Sequence, residues 1–333
     1  MQKATAGPVR RRSGQHEPPA PGSTSTGPAV ATRSRGKRRQ GKRRSLGRAG
    51  YVAWLMLLPA IAVYAGFVLI PLAMGLQYSF YDWNGVGTST FVGMANYTRV
   101  LTDPVLLGSI LNAITLIVFF TVIPIGVGLI LASLIRSMRQ GLMSSAAQTI
   151  LFLPQIVPLA AAGIAWSWMY AQTGTVNQVL SAVGLGGITR SWLADYGTAL
   201  PAVGLIGSWV LTGLCTVLLL TGIGKIDGSL YEAVRLDGAG WWREFFTVTL
   251  PGLRQEIAVL ATLTIIAALS SFDIIYTSTQ GGPGRTTLVP GISIFRIGFT
   301  QSDVGLASAF GIVLMVLVLL VVLPIQRLSK VND

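Results

Sequence analysis

No acid or base interrupts this chain between Arg48 and Asp82, Asp103 and Arg136, Arg139 and Arg190, Asp195 and Lys225, or Asp303 and Arg327. A helix rises 1.5 Å per residue, so about 20 apolar residues cross about 30 Å of hydrocarbon. Each uncharged window supplies that length. The pattern predicts spans at roughly 51–73, 108–135, 147–170, 201–224, 256–277 and 304–326. The third window is long enough for two spans, but residues 172–192 are Gly-rich and polar and read as a structured loop. The fifth span carries Asp273 near its end. Prolines 59, 124, 154 and 158 fall inside the spans, where membrane helices tolerate them if neighbours satisfy the freed carbonyls. With 51% hydrophobic and 11% charged residues, against about 25% charged in soluble domains, the expectation is an all-α, six-span membrane protein.

The net charge of +13 belongs to one end. Residues 1–50 hold 13 Lys and Arg against the single acid Glu17, whereas the remaining body is nearly neutral. That tail has almost no apolar side chains to offset the entropy of folding and reads as a disordered basic segment. Its cluster Arg33 to Arg48 could bind nucleic acid, act as a twin-arginine signal at Arg43-Arg44, or fix orientation against anionic lipid. The lipid reading is preferred, and no nucleic-acid partner is expected. With both termini cytoplasmic, the inner segments carry 21 basic residues and the outer ones four, Arg99, Arg190, Arg285 and Arg296. The positive-inside rule therefore favours that orientation in a plasma or inner membrane.

Catalytic signatures are missing. The chain has no GxxxxGK[ST] loop, HExxH, CxxC or GxSxG, and its one cysteine, Cys215, reads as a packing residue. The one histidine, His16, lies in the tail and cannot build a metal site. Asp273, the acid lying inside the predicted fifth span beyond its first residue Glu256, is either a ligand or gating contact or a hydrated acid near the interface.

The informative segment is the inner loop 225–255. Ser229 to Glu232 matches a capping box, so a short helix is expected to start near 229–230. Gly238 and Gly240 should end it, and the aromatic run from Trp241 to Phe246 follows. An interfacial helix explains the tryptophans. It does not explain small residues at 233, 238, 239 and 240 beside the carboxylates Glu232 and Asp237.

Glu232-Ala233-Val234, Asp237-Gly238-Ala239 and Val248-Thr249-Leu250-Pro251 resemble the EAA loop of ABC importer permeases, patterned EAA, three residues, G, nine residues, I-x-L-P. The spacing matches throughout, with Val234 for Ala and Val248 for Ile. The stretch from Ser271 to Tyr276 followed by Gly281-Gly282-Pro283-Gly284 resembles the carbohydrate and glycerol-phosphate branch. The resemblance covers about residues 51–330.

It implies a type I importer permease whose loop forms a coupling helix on a separate ATPase, through Glu232, Ala233, Val234, Asp237, Gly238, Ala239, Leu250 and Pro251. It also implies a second homologous permease, expected to form a heterodimer since the branch commonly uses two different permeases, together with two ATPase subunits and an extracytoplasmic sugar-binding protein. This chain would bind no cofactor itself, ATP and Mg being used by the ATPase. The family core places a solute path near Ser208, Trp209 and Thr212 and near Ser270, Ser271 and Asp273. Trp209 and Ser271 are the foremost ligand candidates, with helix packing as the alternative for each. A self-contained secondary carrier is the competing reading, disfavoured by the lack of paired intramembrane carboxylates and of a visible inverted repeat. A membrane-bound enzyme is third.

Overall fold

The computed structural model describes the backbone of residues 46–138 and 141–330 and the side chains of 54–138 and 141–327. The expected disordered tail lies outside the described residues as far as position 45; residues 46–50 open a helix that runs from Leu46 to Tyr64. The described residues fall into two units, 46–57 and 58–330. The first, as far as it is described, is helical.

Among the described residues, four helices are long and apolar enough to cross a membrane: α1 (Trp54–Tyr78), α3 (Pro104–Ser137), α7 (Ala199–Ile223) and α13 (Val304–Arg327). The short α2 (Ala95–Thr102) precedes α3. Two bent pairs bring the number of possible spans to six: α4 (Leu142–Ile156) with α5 (Leu159–Met169), and α9 (Trp241–Gly252) with α10 (Arg254–Leu269). Between them lie α6 (Thr175–Ala182) and α8 (Gly228–Leu236), while α11 (Asp273–Ser278) and α12 (Pro290–Phe295) follow α10. A small antiparallel ribbon pairs Tyr81 with Phe91 and Asp82 with Thr90.

Two predicted spans are not single helices. The third turns through 96° between α4 and α5. Pro158 disfavours the helical region for the residue before it, and Val157 is extended at φ −70°, ψ 127°. The fifth stops at Leu269, so Asp273 is not inside a continuous span but opens the separate helix α11. The Ser270 hydroxyl donates to the Ile266 carbonyl at 2.6 Å. Phe272 leaves the helical region at φ −141°, its ring stacked on Tyr276 and set against Phe295.

The remaining prolines are absorbed differently. Wide helical turns at Ala65–Leu69, Val118–Val122 and Phe245–Thr249 each end two residues before a proline, Pro71, Pro124 and Pro251. A proline frees a carbonyl in the preceding turn, and local widening is one way a helix re-satisfies it.

The core is built on α7. Without a hydrophobic drive between helices in lipid, small residues permit the close backbone approach that association needs. A Cβ at Gly213 would sit 2.0 Å from the Leu151 carbonyl oxygen of α4, and one at Gly207 would sit 2.1 Å from the Phe120 ring of α3. Gly128 of α3 meets Cys215 and Thr216 in the same way, and Cys215 is fully buried, as expected of a packing residue. The segment after α5 is a structured loop. Asn177 of α6 is buried; its Nδ2 donates to the carbonyls of Ala171, Gln172 and Arg190 while its Oδ1 accepts from Trp192 Nε1 at 2.8 Å.

Candidate functional site

The loop after α7 turns at Gly224 to Ile226 and enters α8. Asp227, not Ser229, is the N-cap: its carboxylate accepts from the Ser229 amide at 3.0 Å, and the helix begins at Gly228. That cap sits two residues upstream of the expected one because an aspartate preceding the apolar positions reaches the free second amide directly. The Ser229 amide holds the Asp227 carboxyl below its ordinary value.

The helix ends as expected at Gly238, whose φ is +75°. The Gly238 amide donates to the Arg235 carbonyl at 3.0 Å and the Ala239 amide to the Val234 carbonyl at 3.2 Å. These paired bonds satisfy the last carbonyls and depend on a left-handed residue between them, which glycine adopts without a Cβ penalty. The result is a short knuckle with Glu232, Ala233, Leu236, Asp237 and Gly238 exposed and Val234 and Ala239 half-buried. Leucine 236 is 88% exposed. Pro251 is exposed, while Leu250 packs under the loop against the buried cluster around Phe245 and Leu253.

The underside of the knuckle is fixed by residues that motif reading did not single out. Tyr231 is 1% exposed; its hydroxyl lies 3.3 Å from Thr249 Oγ1, and the Arg136 guanidinium lies 3.2 Å from its ring centroid. Buried Glu244 of α9 accepts from Arg136 Nη1 at 3.1 Å and from Arg235 Nε and Nη2 at 2.8 and 3.1 Å. The two guanidinium groups compensate the cost of burying the Glu244 charge. One signal in the sequence pointed here. A carboxylate inside the aromatic run Trp241 to Phe246 must find a partner if that run is buried.

The solute-path candidates divide into two places. Ser270, Ser271 and Asp273 line one cavity of about 220 Å³ with Phe120, Leu159, Gly207 and Leu211. It lies where both broken helices meet, since α5 packs on α11 with Gly163 against the Ile274 carbonyl. Asp273 is exposed, and the Ser271 hydroxyl is buried with no hydrogen-bond partner. Ser208, Trp209 and Thr212 are not in that cavity's lining. The Ser208 hydroxyl contacts the carbonyls of Phe119 and Gly204 at 2.7 and 3.0 Å, tying α7 to α3. The Thr212 hydroxyl donates back to the Ser208 carbonyl. Trp209 is 39% exposed, with its ring edge-on to Trp166 at 5.6 Å. The Gly281 to Gly284 loop is a tight turn, with Thr287 Oγ1 donating to the Gly282 carbonyl and Asn112 Nδ2 donating to the Leu288 carbonyl. Among the described residues no group of acids, cysteine or histidine is placed to hold a metal ion.

Comparison with known proteins adds three kinds of match. Residues 124–330 match the family of binding-protein-dependent transport system inner membrane components. The probable ABC transporter permease protein YurN of Bacillus subtilis is 32% identical, covering 84% of this chain and 96% of its own. The lactose transport system permease protein LacF of Rhizobium radiobacter is also 32% identical, covering 80% and 90%. A crystal structure of a bacterial ABC transporter that imports the polysaccharide alginate contains a chain of TM-score 0.71 and 26% identity, covering 85% of this chain and 96% of that one.

Proposed function

The chain belongs to the family of binding-protein-dependent transport system inner membrane components, and from that premise we propose that it imports a sugar together with a second, different permease, driven by a separate ATPase docked on α8. The observation that carries this reading is the knuckle: an exposed helix, closed at Gly238, with small residues and carboxylates outward and a fixed underside. A surface built this way admits another backbone closely while resisting rotation against its own spans. The chain contains no nucleotide-binding loop, so the ATP and Mg chemistry belongs to the partner. Relatives described as lactose and diacetylchitobiose permeases support a carbohydrate as the solute. A binding protein delivers it outside, both termini lie in the cytoplasm, and the basic tail lies against anionic lipid.

Purification tests the partners directly. Gently solubilised from its native membrane, the chain should bring with it an ATPase and a second permease. Recovery of the chain alone, in a form that transports in response to an ion gradient, would favour the secondary carrier.

The cavity beside α11 is the solute contact in this reading. It is the one place where candidate polar groups converge, and Ser271 offers a buried hydroxyl without an internal partner. Asp273→Asn should raise the sugar concentration for half-maximal uptake severalfold while the ATPase still co-purifies. Unchanged uptake kinetics would make Asp273 a hydrated acid with no part in the path.

A further inference from the structure

We propose that Glu244 is a positioning residue that passes displacement of α8 into α3, and along α3 to the wall of the cavity. This rests on the assignment of α8 as the coupling helix. Three elements meet at one carboxylate: Arg136 near the inner end of α3, Arg235 on α8, and Glu244 itself on α9. Glu244 is buried, while Arg136 is partly and Arg235 largely exposed; pulling the arginines away would leave a buried carboxylate uncompensated, so the node resists being pulled apart. Tyr231 adds a second tie between the same elements, its ring under Arg136 and its hydroxyl on Thr249. A shift of α8 therefore carries the end of α3 with it.

From there α3 is the lever. Phe120 and Arg136 lie on the same helix, sixteen residues apart, or about 24 Å at the helical rise. Phe120 lines the cavity and seats its ring on Gly207 of α7, which lines it too. The wide turn at Val118–Val122 surrounds Phe120, and wide turns of this kind are frequent at functional sites. The node and the cavity wall are thus joined by one element, with the wide turn at its cavity end.

The test uses the assembled complex in vesicles and reads sugar molecules transported per ATP hydrolysed. Glu244→Gln keeps the size of the side chain and removes its charge; the ratio should fall at least tenfold. Arg136→Gln should do the same, and Arg136→Lys, which keeps a charged donor, should retain most of the ratio. A wild-type ratio in Glu244→Gln overturns the proposal, even if less complex is recovered, because a purely structural role lowers yield without uncoupling. Should Glu244→Gln fail to assemble, Arg136→Gln against Arg136→Lys decides by the same ratio, and equal ratios overturn it. Gly238→Leu serves as the control: if it uncouples while the node variants do not, only the node is wrong. If none of them uncouples, the assignment of α8 itself is wrong.

Discussion

Leucine at Gly238 is expected to lower sugar uptake at least tenfold while the chain still inserts and pairs with its partner permease. Gly238 sits at φ +75°, and a Cβ there would meet nothing within 4 Å. The substitution therefore introduces strain without a clash, about 1–2 kcal/mol for an L-residue held left-handed. That is too little to unfold the spans. It is enough to loosen the turn that closes α8, because the Gly238 and Ala239 amide bonds both depend on it. The leucine side chain would also project from the exposed tip, where the proposed docking brings a partner backbone. Asparagine tolerates the left-handed region better than other residues, so Gly238→Asn should retain more uptake than Gly238→Leu. Uptake and co-purified ATPase, measured per inserted chain, check both.

Valine at Gly213 acts on the fold itself. The added Cβ would lie 2.0 Å from the Leu151 carbonyl oxygen and 3.0 Å from the Phe152 Cα. Both are backbone atoms of α4, so no side-chain rotation relieves the overlap and α4 must move away from α7. Overpacking of this kind costs typically about 1–3 kcal/mol and at times more. Detergent-stable protein should fall to a small fraction of wild type, with a thermal midpoint lower by several degrees. Gly126→Val is the matched control, since a Cβ at Gly126 meets nothing within 4 Å. It should express and melt as wild type.

The spans were legible because membrane crossing leaves a signature in composition: charge is excluded over the length of a helix. Where the helices break was less so. Prolines within the predicted spans look alike in sequence, yet the helix stays continuous through Pro59 and Pro154 and turns at Pro158. The outcome depends on whether neighbouring elements can satisfy the freed carbonyl, which is a tertiary matter. The break before Asp273 has no proline at all; Phe272 is held out of helical register by rings from α11 and α12.

The knuckle could be read from spacing, since glycine at a helix end has a local cause. Its cap was misplaced because Asp227 and Ser229 both suit an N-cap and only the backbone shows which one accepts. The node beneath it joins Arg136 to Glu244, residues 108 positions apart, and no local pattern announces such a pair. The solute-path residues illustrate the same limit. Ser208 has the chemistry to hold a sugar, but its hydroxyl faces the carbonyls of Phe119 and Gly204, whereas that of Ser271 is left without a partner.

Uptake by sealed vesicles containing the chain, its partner permease and the ATPase, with the binding protein outside, tests the central claim most directly. Labelled sugar should accumulate only when ATP is supplied on the ATPase side, and Gly238→Leu should remove that accumulation. Equal accumulation without ATP, driven by an ion gradient and unaffected by Gly238→Leu, would contradict the account.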